Sequence, residues 1–472
     1  MSQEARLPVV VIGAGPVGMA AAAQLSERRV PFVLFERGAQ VGEAMRAWSH
    51  VQVFSPWEYN IDKAARRLLE ASGWEAPDEE ALPTGGELVS RYLQPLAELP
   101  QIAPHLQLGA TVRSITREGL DKMTSTNRDN VPFAIRWVDL DGRSRFTRAS
   151  AIIDASGTWE KPNPIGVDGL TVPGEADNSD LIAYGIPDVA GRDRELYEGK
   201  RVLVVGSGHS AIQSALALLS LKDAETSTKV TWALRRNRIE RLLGGGLNDQ
   251  LPARGALGLA ARRAIDDGRL DVLAPFSAYS IRRAGAALEV EGALSGHALT
   301  VSVDRIIVAT GFRPNLDMAS ELRVQLDPAV EAPPALAPLI DPNFHSCGSV
   351  PPHGVDELTH PEKNFFIVGS KSYGRAPTFL MATGYEQVRS IADELAGNPV
   401  AARQVQLVLP ETGVCSSSRV TGEASEACCG GPAATADSCC VADEVAKSEG
   451  QAGCGCGTST TVTKPALVVE RA

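Results

Sequence analysis

Short apolar runs, each followed at once by glycine, recur along this chain. Val9-Val10-Val11-Ile12 is apolar at every position instead of alternating, which predicts a parallel strand buried on both faces. Gly13-Ala14-Gly15-Pro16-Val17-Gly18 follows, then an Ala-rich helix to about Arg28, then a second strand, Phe32-Val33-Leu34-Phe35, ending in Glu36. The unit recurs. Arg201 to Val205 reads as a strand, Gly206-Ser207-Gly208-His209-Ser210-Ala211 as the turn, and Ile212 to Leu219 as the helix. The next strand, Lys229 to Leu234, ends in Arg235-Arg236. Ala151 to Gly157 and Ile306 to Gly311 are apolar strands that each end in a small residue and glycine. Asn364 to Gly369 is one more buried strand. A helix is predicted from about Thr378 to Leu395, with Pro377 at its start, where a missing N–H costs nothing.

Strand, glycine turn, helix and second strand together make a dinucleotide-binding unit. The first glycine permits the tight turn, the second lets backbone approach a pyrophosphate, and the third packs helix on strand. The helix start supplies free N–H groups and positive dipole to the phosphates. Glu36 stands where a carboxylate can accept both ribose hydroxyls. Arg235 and Arg236 stand at the equivalent place in the second unit, where cations pair with a 2′-phosphate, so that site favours NADPH over NADH. The Ser156-Gly157 and Thr310-Gly311 strands mark the crossings into and out of an inserted domain. The expected boundaries are 1–163 and 325–410 for the first domain in two parts, 164–324 for the insertion, and 411–472 for a tail.

Composition narrows the classes. The 472 residues are 44% hydrophobic and 22% charged, a globular balance too long for one ordinary core. Lys plus Arg number 46 against 57 Asp plus Glu, a net charge of −11 that argues against nucleic acid and against a polybasic membrane anchor. Leu7 to Ala23 imitates a signal peptide, but Gly13, Gly15, Pro16 and Gly18 break its apolar run, and no second stretch approaches the length of a bilayer span. Of eight cysteines only Cys347 precedes residue 415, so the body is no disulfide scaffold and fits a reducing cytoplasm. From about Glu411 the chain has no Phe, Trp or Tyr and cannot bury a core, which predicts a disordered, mobile tail.

Together these residues resemble the two-dinucleotide-binding-domain flavoproteins, a superfamily that includes the flavin-containing monooxygenases and the disulfide reductases, from about residue 8 to 400. The resemblance implies an α/β fold of two Rossmann-like domains, the NADPH domain inserted in the FAD domain. It implies FAD on Gly13, Ala14, Gly15, Pro16, Gly18, Glu36 and Arg37, with Val112 beside the adenine and Ser156, Gly157 and Gly369 completing the site. It implies NADPH on Gly206, Ser207, Gly208, His209, Ser210, Arg235 and Arg236, together with Thr310 and Gly311. In many relatives an Asp follows the glycine at Gly369 and holds the ribityl chain; here Ser370 stands there.

The branch is read from further residues. No cysteine lies where a disulfide reductase needs its redox pair. Gly42 to Trp57, Pro83 to Leu88 and Tyr92-Leu93 look like the flavin-containing monooxygenase layout, with Trp48, Phe54 and Trp57 as walls of a pocket. No His stands around Tyr184 to Tyr197, where that family carries one. The implied enzyme uses NADPH and O2 to oxygenate a small molecule with a soft sulfur, nitrogen or arsenic centre. Two alternatives stand beside it: a reductase whose electrons leave through Cys347 or the tail thiols, and a metalloid-binding protein on a flavoprotein scaffold. Cys347 is either a thiol meeting substrate or a small buried residue. Cys428, Cys429, Cys439 and Cys440 either chelate Cu(I), Zn(II) or arsenite as adjacent soft thiolates or do nothing. Such a tail looks like those of flavoproteins encoded with arsenic-resistance genes.

Overall fold

In a computed structural model, which describes residues 6–224, 228–237, 252–343, 350–376 and 379–407, the first apolar run is strand β1, Val9–Ile12. It is the middle strand of a parallel sheet with β2 (Phe32–Phe35), β3 (Leu106–Gln107), β7 (Ala151–Asp154) and β16 (Phe365–Ile367), in the order β16-β7-β1-β2-β3. Successive side chains serve opposite faces. Val9 and Val11 join the core beneath helix α1 (Pro16–Glu27), while Val10 and Ile12 pack on the antiparallel strands β4 (Thr111–Arg117), β5 (Phe133–Val138) and β6 (Ser144–Ala149). Burial on both faces is why the run carries no polar residue. Ala20 to Ala23 of α1 are fully buried, and their small side chains seat the helix closely in that core.

After β7 the chain builds a second sheet on the same plan. Strands β8 (Ile182–Tyr184), β9 (Arg201–Val205), β10 (Lys229–Ala233), β11 (Asp271–Leu273) and β15 (Arg305–Val308) run parallel in the order β11-β10-β9-β15-β8. Val202 and Val204 face the helices His209–Ala224 and Pro252–Asp266. Leu203 faces the antiparallel strands β12 (Phe276–Ala284), β13 (Ala287–Leu294) and β14 (His297–Val303). The chain then returns to the first sheet as β16, beside β7. The result is an α/β fold of Rossmann-like parallel sheets.

Two helices differ from the sequence reading. The second-unit helix begins at His209 instead of Ile212 and runs past Leu219, because Leu221 continues its buried face. The C-terminal helix begins at Met381, not at Pro377-Thr378, which lie outside the described residues. Leu380 is extended (φ −107°, ψ 143°), and Phe379 tucks against Tyr373 with ring centroids 5.2 Å apart. Among the described residues no helix is long and apolar enough to cross a membrane.

The helix Lys63–Ala71 is held by a buried acid. Asp62 accepts from Ala65 N at 2.9 Å as N-cap and from Gln24 Nε2 at 2.8 Å. Burial pushes its carboxyl up to about 6, against those hydrogen bonds. A folded value above the unfolded one means the native state binds the extra proton, so this contribution to stability is present at low pH and lost as pH rises from about 4 through about 6. Asp62→Asn keeps a capping oxygen and removes the titration. Its stability relative to wild type should improve by about 2–3 kcal/mol between about pH 4 and pH 7. Urea unfolding across that range checks it; parallel pH curves for the two proteins would refute it.

Candidate active site

The carboxyl ends of both sheets present the same arrangement. Gly13 has φ +98°, and a Cβ there would lie 2.7 Å from Ala155 O and 2.8 Å from Ser156 Cα. A Cβ on Gly18 would meet Gly13 O at 1.8 Å. Gly15 is different: it has φ −79° as the cap of α1, and a Cβ there would meet nothing within 4 Å. In the second unit Gly206 has φ +142° and a Cβ there would lie 2.2 Å from Ala309 O, while a Cβ on Gly208 would meet nothing within 4 Å. Each turn is therefore sealed against the protein at its first glycine and bare at its second. A bare turn opening a helix is the cradle a dinucleotide pyrophosphate requires. The strands expected as crossings, Ala151 to Gly157 and Ile306 to Gly311, form the floors of the two turns at Ala155-Ser156 and Ala309-Thr310.

Glu36 is buried where β2 ends. Its Oε2 accepts from Ala14 N and its Oε1 from Gly38 N, both at 2.7 Å, so the carboxylate braces the turn beside it. A carboxylate has about four acceptor positions, which leaves roughly two for ribose hydroxyls. Arg37 forms an ion pair with Glu160. Ala110 N donates to Glu36 O at 2.8 Å, and Val112, partly buried, packs against the core that includes Phe35. Arg235 and Arg236 are exposed just past β10, and among the described residues neither has an ion-pair partner. Ser207, in the turn before Gly208, and Ser210, in the first turn of the helix that follows it, are half-buried.

Thr310 is spent on the crossing. Its Oγ1 donates to Asn163 O at 2.8 Å, Asn163 Nδ2 donates back to Thr310 O at 3.0 Å, and Asn163 N donates to Gly311 O at 2.9 Å. Trp159 stacks on Phe312 at 4.7 Å across the same pair of segments. The outgoing and returning chains are thus clasped to each other.

Sequence reasoning missed the polar floor of the first site. Lys371 Nζ donates to Asp154 Oδ2 at 2.7 Å and to Ser156 Oγ at 2.9 Å, and Ser156 Oγ donates to Asp154 Oδ1 at 2.6 Å. Gly369 N donates to Gln387 Oε1 at 2.7 Å, and Gln387 Nε2 lies 2.9 Å from both His353 Nε2 and Ser372 Oγ. Burial holds the His353 imidazole below its ordinary value, so it is neutral and accepts from Gln387 while Nδ1–H faces Pro351 O. The only signals were a charge ending an apolar strand and a lysine two places past Gly369. Ser370 itself is exposed.

The expected pocket walls separate. Trp57 is 1% exposed and belongs to the core, with the Arg91 guanidinium over its ring, so it walls no pocket. Trp48 lies under Gly85, where a Cβ would come within 2.6 Å of its ring. Phe54 reaches the second unit, its ring 5.0 Å from that of His209. Cys347, Cys428, Cys429, Cys439 and Cys440 lie outside the described residues.

Two glycine turns of one design, each at the carboxyl end of its own parallel sheet, define a protein that handles two dinucleotides. The chain belongs to the pyridine nucleotide-disulphide oxidoreductase family, whose sequence profile matches residues 7–332. It is accordingly an FAD- and NADPH-dependent oxidoreductase, the cofactor pair expected from the two turns. It is 24% identical to the ferredoxin–NADP reductase of Thermus thermophilus over 366 residues, covering 76% of this chain and 87% of that one. Among solved structures it is similar to the bacillithiol disulfide reductase of Bacillus cereus (18% identity, TM-score 0.62, covering 83% of this chain and 99% of that one). It is also similar to the cadaverine monooxygenase DfoA of Erwinia amylovora (13% identity, TM-score 0.60, covering 88% and 100%).

Proposed function

We propose that this oxidoreductase is of monooxygenase type, with FAD on the first turn, NADPH on the second, and a small molecule bearing a soft nucleophilic atom as substrate. The observation that carries the branch is the absence of any cysteine before Cys347 in the sequence, so neither glycine-turn unit holds a dithiol pair of its own to relay electrons. When bound, the flavin takes electrons from the nicotinamide and activates O2 for transfer of one oxygen atom.

The chain's own residues bind and orient. The α1 start and the bare edge at Gly15 take the FAD phosphates, and Glu36 takes ribose hydroxyls with its remaining acceptor positions. The start of the helix His209–Ala224 takes the NADPH phosphates, and Arg235 and Arg236 take the 2′-phosphate. Phe54, its ring 5.0 Å from that of His209, joins the first unit to the start of the second-unit helix beside the nucleotide site.

NADPH consumption screened against arsenite, methylated arsenicals, thiols and amines under labelled O2 tests the reading. One labelled oxygen atom appearing in product for each NADPH supports it. NADPH oxidation that yields only H2O2, together with undiminished anaerobic turnover of a disulfide, would replace it with the reductase reading. The same proposal assigns trivalent arsenic to Cys428, Cys429, Cys439 and Cys440, because adjacent thiolates chelate one soft ion. A chain ending at Leu409 should then lose arsenite binding and keep its FAD; equal arsenite binding by both proteins would refute that assignment.

A further inference from the structure

The carboxyl end of β7 hides an ion pair that the binding scheme above leaves unused. Asp154 and Lys371 have side chains 0% and 1% exposed, and stand 217 positions apart in sequence. Taking two charges out of water is costly and is offset only by close geometry and further hydrogen bonds. Here those bonds converge on one residue: Ser156 gives its N–H and its hydroxyl to Asp154 Oδ1, at 3.1 and 2.6 Å, and its hydroxyl accepts from Lys371 at 2.9 Å. Ser156 is itself exposed, and its Cα is the surface against which Gly13 is sealed. The ammonium thus lies one hydroxyl beneath the floor of the first turn.

The geometry points to Lys371 as a positioning residue for the flavin dinucleotide, acting through Ser156. It rests on the assignment of FAD to the first turn. Lys371 fixes the Ser156 hydroxyl, and Asp154 fixes its backbone. The peptide that follows, leading into Gly157 at φ +70°, is then held in one orientation toward the turn. The pair also ties β7 to the segment after β16, so both edges of the site move as one body. A buried apolar residue at 371 would pack as well but would leave the hydroxyl free to rotate away.

The test uses the full chain in four variants: Ser156→Ala, Lys371→Met, Asp154→Asn/Lys371→Met and Gly15→Val. Each is measured by reconstitution of the apoprotein with FAD, by the visible spectrum of bound flavin, and by thermal melting without FAD. Ser156→Ala and Lys371→Met should each weaken FAD binding about tenfold or more, the equivalent of one lost polar contact, and shift the flavin spectrum. The double variant removes both charges, so its apoprotein should melt like wild type while FAD binding stays weak. Wild-type FAD affinity and spectrum in the double variant would show that the pair only satisfies itself, and would overturn the proposal. So would an unchanged Ser156→Ala beside a Gly15→Val protein that has lost flavin. Flavin kept in full by Gly15→Val would instead overturn the FAD assignment.

Discussion

A Gly15→Val protein is expected to fold and to purify without flavin. The backbone at Gly15 is extended at φ −79° and tolerates a side chain, and the added atoms meet no protein within 4 Å. They would project into the space over the start of α1, where the pyrophosphate must come within hydrogen-bonding distance of N–H groups. Losing about two charge-assisted bonds weakens binding by roughly a hundredfold or more. The contrast within one motif sharpens the expectation. Gly13→Ala and Gly18→Ala put a methyl group 2.7 Å and 1.8 Å from backbone oxygens, so these should fail at folding instead. Circular dichroism and flavin content separate the cases. A soluble, yellow Gly15→Val protein with full flavin would remove the first turn from the cofactor site.

Arg235→Ala/Arg236→Ala should raise the KM for NADPH and leave that for NADH nearly unchanged. Both side chains are exposed, and no ion pair among the described residues depends on them, so their removal costs the fold little. What is lost is pairing with the 2′-phosphate, a charge-assisted contact of roughly 1.5–3 kcal/mol, hence about tenfold to a hundredfold in affinity. Steady-state kinetics with the two nucleotides reads it directly. Equal losses with both would mean that the arginines support the strand end and not the phosphate.

The strands were the most legible part of the fold. β1 and Val202, Leu203 and Val204 of β9 are buried on both faces, and a run of four residues with no polar position has few other uses. Helix ends were less legible: Leu380 is extended and Phe379 packs on Tyr373, so the helix starts at Met381, and no capping residue in the sequence marks that place. The glycine motifs announced a turn, yet their spacing alone could not separate Gly13, sealed by Ala155, from Gly15, open to a ligand. That difference comes from a strand more than a hundred residues away. For the same reason the union of Asp154 with Lys371 was invisible until β7 and β16 lay side by side. Trp57 shows the converse. Its residue type suggested a pocket wall, and burial made it core.

The proposed function requires one coupling, an electron carrier on the first turn reduced by a nucleotide on the second. Anaerobic titration of the purified, full-length protein with NADPH measures that coupling without reference to any substrate. About one equivalent of NADPH per flavin should bleach the visible absorbance, and NADH should do so only at much higher concentration. A flavin that stays oxidised under excess NADPH would contradict that coupling.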